Sequence, residues 1–163
     1  MTPLFYLAAA VAVASTLLVI TGKNAVHALL YFVVSLFAVA LIFFLLGAPF
    51  VAALEVIVYA GAIMVLFVFV VMLLNQGPEA ADREWEWMPP RIFVGPSILA
   101  VLLLAELLFL LWGDPTMLPG DLVVEPREVG ATLLGPYLLA VELASILLLA
   151  GLVGAYHLGR RNE

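Results

Sequence analysis

Cysteine is absent from this chain. Disulfides, thiolate metal sites and cysteine nucleophiles are therefore excluded. Charge is scarce: Asp, Glu, Lys and Arg make up 11% of the residues, against roughly 25% in soluble domains. Only two histidines occur, His27 and His157. They lie far apart in sequence, which argues against a metal site within the chain. No nucleic-acid partner is expected. What is abundant is apolar: 66% of 163 residues, where soluble proteins have roughly 45–50%. A water-soluble fold of this length has no interior large enough to hide that much apolar surface, so the solvent is lipid. The net charge of −6 says little about partners, because most of the acids sit in two short polar stretches.

A bilayer core about 30 Å thick takes about 20 apolar helical residues. Five stretches qualify: Pro3–Ile20, Ala25–Leu46, Phe50–Leu74, Ile92–Trp112 and Ala131–Tyr156. Their apolar runs are continuous, without the in–out alternation of barrel strands. The expected fold is an all-α integral membrane protein of five transmembrane helices, forming a single membrane domain over 1–163. The first run lacks a basic segment before it and a cleavage site after it, so it is read as a span and not as a signal peptide. Breaks fall at Thr21-Gly22-Lys23-Asn24 and at Gly47-Ala48-Pro49, with Pro49 placed to start a helix. The polar stretches 75–91 and 113–130 are too short for a nucleotide-binding or redox domain.

Orientation follows Lys and Arg. With the N-terminus outside, Lys23, Arg83, Arg91, Arg160 and Arg161 face the cytoplasm and only Arg127 faces out. The expectation is N-out and C-in. Trp85, Trp87, Trp112, Tyr137 and Tyr156 fall near expected interfaces, where amphipathic rings are favoured. His27 and His157 sit at span ends and are read as interfacial.

Three carboxylates lie inside spans: Glu55, Glu106 and Glu142. No Lys or Arg does. At about 1.5 Å per residue, Glu55 and Glu106 are roughly 8 and 9 Å from the outer ends of their expected spans. Glu142 is roughly 16 Å deep on the same count. A charge in the middle of a span costs at least ~2.5–3.5 kcal/mol. These acids need water, a backbone group or a partner subunit. One reading is a proton relay along a hydrated path. The other is hydrogen bonding that helps helices associate. Both stay open for Glu55 and Glu142; for Glu106 the packing role is preferred.

The third span holds a further oddity. Glu55 and Tyr59 are four apart and share a helix face, continued by Ala62, Leu66 and Leu73. Met64 points to the other side. Gly61, between Ala60 and Ala62, sits amid bulky residues. One role for it is close packing through small residues. The other concerns the backbone. Gly costs ~1 kcal/mol in a helix interior, so the hydrogen-bond ladder is weak there. One extra residue in a turn makes a π-bulge and turns everything beyond it by about 100°. Forming or annealing the bulge swings Met64, Phe67 and Phe69 between faces, and a helix with two registers is a switch.

The run "VYAGAIMVLFVFVVMLLN", Val58 to Asn75, closely resembles the third transmembrane helix of the subunit J family of NADH-quinone oxidoreductases. This is the bacterial counterpart of mitochondrial NADH dehydrogenase subunit 6. The resemblance implies a membrane-arm subunit of respiratory complex I in the bacterial inner membrane, which couples quinone reduction to proton pumping. It implies no cofactor in this chain, with NADH, FMN, iron–sulfur clusters and quinone held by partner subunits. It implies partners in the membrane arm, among them the quinone-site subunit and small antiporter-like subunits. The third helix of the family carries a π-bulge, expected here near Tyr59–Val65, that gates a hydrated path. Tyr59, Gly61, Met64, Val65 and Phe67 match the motif position for position. The glutamates rest on chemistry alone.

Three rivals share these features. A stand-alone ion carrier formed from an inverted dimer is disfavoured by the charge bias. A subunit of a cation antiporter or membrane-bound hydrogenase is distinguished by what co-purifies. A scaffold without gating fits the sequence equally well.

Overall fold

The structure is a computed structural model that describes residues 2–22, 24–74, 91–112 and 123–159. Every regular element among the described residues is helical: α1 (Thr2–Thr21), α2 (Ala25–Leu45), α3 (Pro49–Leu54), a π-helical segment (Glu55–Ile63), α4 (Met64–Leu74), α5 (Arg91–Trp112), α6 (Pro126–Leu133) and α7 (Leu138–Gly159). Elements α3, the π segment and α4 run on without a break as the third helix. Among the described residues, five helices are long and apolar enough to cross a membrane. The all-helical, five-span expectation holds, and so does the π feature in the third helix. Trp85, Trp87 and the cationic Lys23, Arg83, Arg160 and Arg161 lie outside the described residues.

The chain divides into two compact units, Met1–Val123 and Val124–Glu163. In the first, α2 is the hub. Nine of its residues are buried, among them Leu29, Tyr31, Val34, Ala38 and Leu41. Val34, Ala38, Leu41 and Leu45 form one apolar cluster with Ala8 and Val11 of α1 and Leu103 of α5. A second cluster joins Leu29 and Leu36 to Met64 at the start of α4.

Small side chains bring α1 and α2 close enough for polar contact in the membrane interior. The Thr16 and Ser35 hydroxyls are 2.9 Å apart. Thr16 Oγ1 also donates to the Ala12 carbonyl at 2.8 Å, and Ser35 Oγ reaches the same carbonyl at 3.3 Å. Such interhelical bonds contribute roughly 0.6–2 kcal/mol each. Ser15, beside them, is fully buried and its hydroxyl has no partner among the described residues.

The turns follow from their residues. Asn24 caps α2 by accepting from the His27 N–H at 3.2 Å. At the other end Gly47 takes φ +80°, where a Cβ is disfavoured. Its N–H donates to the Phe44 carbonyl at 3.1 Å and that of Ala48 to Phe43 at 3.0 Å. These two bonds make a Schellman motif, and Pro49 opens the next helix with φ already set. In α5, Gly95 packs against the Tyr31 side chain; a Cβ there would overlap the Tyr31 hydroxyl. Pro96 follows inside the same helix and leaves the Ile92 carbonyl without its helical donor.

The second unit departs from the single span expected from Ala131 to Tyr156. It has α6, turns at 134–137, and then α7. Pro136 supplies no N–H and restricts the residue before it. A Cβ on Gly135 would lie 2.7 Å from the Ala131 carbonyl oxygen. The apolar run therefore continues through a break that the backbone requires.

Candidate functional site

The π segment interrupts the regular α-helix of the third helix, and its hydrogen bonds define it. The Met64 N–H reaches the Tyr59 carbonyl, five residues back, as well as that of Gly61. Before the segment the ladder is still α-helical, with the Glu55 N–H on the Val51 carbonyl. The segment begins at Glu55, four residues ahead of the stretch Tyr59–Val65 expected from the family motif. Gly61 lies near its far end. A Cβ on Gly61 would stand 3.2 Å from the Val56 carbonyl oxygen, the acceptor five residues earlier. Glycine thus relieves crowding inside the wide turn itself.

This register sorts the candidate residues onto different sides. Met64 is 1% exposed and packs with Leu29 and Leu36 of α2, flanked by Val33, Ala60 and Val71. Tyr59, Val65 and Phe67 are each more than half exposed. Glu55, the first residue of the segment, is half-buried, as is Gly61. The third helix therefore turns one sulfur-bearing side chain inward and presents an aromatic and β-branched face outward. Phe67, three residues further on, is 54% exposed where Met64 is sealed.

The three span carboxylates occupy three different settings. Glu106 of α5 is 4% exposed, and neither of its oxygens has a hydrogen-bond partner among the described residues. Sequence reasoning placed it in a span without showing that it was sealed. Glu142 belongs to the second unit and is exposed. Because α7 starts at Leu138, Glu142 lies about 6 Å from the helix start and not near the midplane. Among the described residues no hydrogen bond joins the Glu55 carboxyl to Glu106.

Beside the π segment runs an apolar crevice of about 560 Å³ between α2, the third helix and α5, with Phe37, Phe44, Pro49, Val56, Leu103 and Leu107 on its walls. None of its lining residues offers a charged or polar side chain. No group of three or more His, Asp or Glu able to hold a metal occurs among the described residues.

Comparisons with known proteins agree with the motif. NADH-quinone oxidoreductase subunit J of Pseudomonas aeruginosa is 60% identical over 159 residues, covering 97% of this chain and 96% of the relative. The protein of that name in Escherichia coli is 51% identical, covering 98% and 86%. One from Buchnera aphidicola is 45% identical, covering 98% of both. A family profile for NADH-ubiquinone/plastoquinone oxidoreductase chain 6 matches residues 15–158. With the match running from α1 almost to the end of α7, the chain belongs to the NADH-ubiquinone/plastoquinone oxidoreductase chain 6 family.

Proposed function

We propose that the chain is a membrane subunit of a proton-translocating NADH:quinone oxidoreductase of the bacterial inner membrane, and that its third helix couples quinone chemistry to proton movement by changing register. The observation that carries this is the π segment Glu55–Ile63 in the middle of a membrane helix. A π turn is a stored extra residue, and releasing it rotates one part of the rod against the other. The redox groups, NADH, FMN, iron–sulfur clusters and quinone, belong to partner subunits. This chain contributes no redox chemistry of its own.

In the register described, Met64 is packed against α2 while Val65 and Phe67 face outward. Annealing the π segment to α swings α4 by about 100°. Met64 then leaves α2, and the outward face is exchanged. One register closes a hydrated path between the quinone-site subunit and the small antiporter-like subunits; the other opens it. Both registers keep the helix continuous, as lipid requires.

The test is Gly61→Val in the intact complex. The β-branched side chain crowds the Val56 carbonyl and biases the register. The expected result is normal assembly and normal NADH oxidation with an artificial acceptor, with fewer protons moved per electron passed to quinone. An unchanged proton-to-electron ratio in an assembled variant defeats the switch.

A further inference from the structure

Glu106 is a titratable group that the register change leaves unused. It is 4% exposed, and both carboxyl oxygens are sealed without a hydrogen-bond partner among the described residues. The packing role expected for it needs such a partner, so the acid requires another account. Neither α1 nor α2 contains Asp, Glu, Lys or Arg. Helices α2 and α5 run parallel, since Tyr31 meets Gly95 and Leu41 clusters with Leu103. His27 of α2 and Arg91 of α5 therefore lie at the same far end, Arg91 about 22 Å from Glu106 along the axis. The ionisable group on the adjacent part of the third helix is another acid, Glu55. A carboxylate without donor or water is far more costly to bury than the neutral acid, so in this state Glu106 carries its proton.

The carboxyl stands one step from the crevice beside the π segment. At about 100° per residue, Leu99, Leu103, Glu106 and Leu110 share one side of α5, and the three leucines pack in a cluster with Ala8 and Val11 of α1. Ala100, Leu103, Leu104 and Leu107 line the crevice on the adjoining side. Leu103 belongs to both sets, and Glu106 is about 60° round the helix from it. A turn of α5 by that angle puts the carboxyl where Leu103 stands, on a crevice that Val56 of the π segment also lines. Pro96 gives α5 a place to swivel, because the Ile92 carbonyl lacks its helical donor there. The crevice, about 560 Å³, has the volume of roughly 19 waters at about 30 Å³ each. Apolar walls alone exclude water, whereas a carboxyl among them gives it a partner. We propose that Glu106 is a proton-binding site, sealed in the register described, that exchanges its proton with water in the crevice when α5 turns. On opening, the carboxyl O–H bond breaks and the proton passes to a water, leaving a carboxylate and a hydronium ion. On closing, the carboxylate takes a proton back from water. The inference rests on the chain being a subunit of the proton-translocating complex.

The experiment uses the intact complex in its native membrane and brief exposure to a lipid-soluble carbodiimide. The reagent takes neutral carboxyl groups: the O–H adds across one C=N bond, and the acyl group then shifts to nitrogen as a stable N-acylurea, with nothing leaving. Modified Glu106 is counted by mass spectrometry of this subunit's peptides, at rest and during NADH oxidation by quinone. Little modification at rest and several-fold more during turnover is the expected result. Equal modification in both settings, or none in either, overturns the gated site. Glu106→Gln should assemble normally but move fewer protons per electron, and Glu106→Asp should recover part of the loss. A role in packing alone would treat Gln at least as well as Asp, and an unchanged ratio in assembled Glu106→Gln overturns the site. If Glu106 is modified only during turnover while Gly61→Val keeps its proton-to-electron ratio, the site stands and the register switch fails. If the wild-type chain co-purifies with no flavin or iron–sulfur subunit, the membership has failed and the site with it.

Discussion

At the scale of single residues, the packing of α5 on α2 turns on one absent carbon. Gly95 leaves room for the Tyr31 hydroxyl, and any Cβ there overlaps it. Gly95→Ala is expected to destabilise the solubilised protein by about 1–3 kcal/mol, the usual cost of overpacking. Removing the obstructing oxygen with Tyr31→Phe should recover much of that loss, giving a coupling of about 0.5–3 kcal/mol in a double-mutant cycle read by thermal unfolding. Purely additive effects count against the contact. Glu106 behaves in the opposite sense. Both its oxygens are sealed without partners, and an unsatisfied buried polar group costs roughly 1–3 kcal/mol. Glu106→Leu should therefore leave the midpoint unchanged or raise it. A fall of several degrees means that the carboxyl has a partner in the assembled complex.

At the scale of elements, the third helix is a rod with one residue too many. Deleting Ala62 lets the ladder close as α-helix while keeping Met64 on the α2 side and α3 in place. The variant should assemble with the rest of the complex yet lose most of its coupled proton movement, measured by quenching of a pH-sensitive dye during NADH oxidation. Full coupling in the shortened helix removes any role for the π turn. The turn before this helix makes a separate expectation. Gly47 sits at φ +80°, so Gly47→Ala should cost about 1–2 kcal/mol, again read by thermal unfolding. How far these elements could be read beforehand depended on what hydrocarbon demands. Lipid requires long unbroken apolar runs, so the spans stood out. Gly61 pointed to a weak place in the ladder but not to its extent, because the wide turn opens at Glu55, well before the glycine. The break at Gly135-Pro136 was signalled by that Gly-Pro pair but outweighed by the apolar residues on either side of it. The Thr16–Ser35 pair was silent, since small hydroxyl residues barely disturb an apolar run.

At the scale of the whole molecule, the distribution of cations leads us to propose that the N-terminus lies outside and the C-terminus inside. Five of its six Lys and Arg lie on the side of the C-terminus once the N-terminus is placed outside. A C-terminal fluorescent protein should therefore mature in the cytoplasm and glow, while alkaline phosphatase fused at the same point should stay inactive. The opposite pair of results reverses the membrane orientation.

Met64 carries a last consequence. Among the described side chains of the third helix it is the least exposed, at 1%, and it packs on Leu29 and Leu36 of α2. Its unbranched thioether has three rotatable bonds and fills irregular gaps without strain. The latch of hydroxyls between α1 and α2 makes that pair a fixed housing. Against it the third helix is a shaft riding on a compliant bushing. Rotation can begin there by bending one side chain, before any wall has to yield.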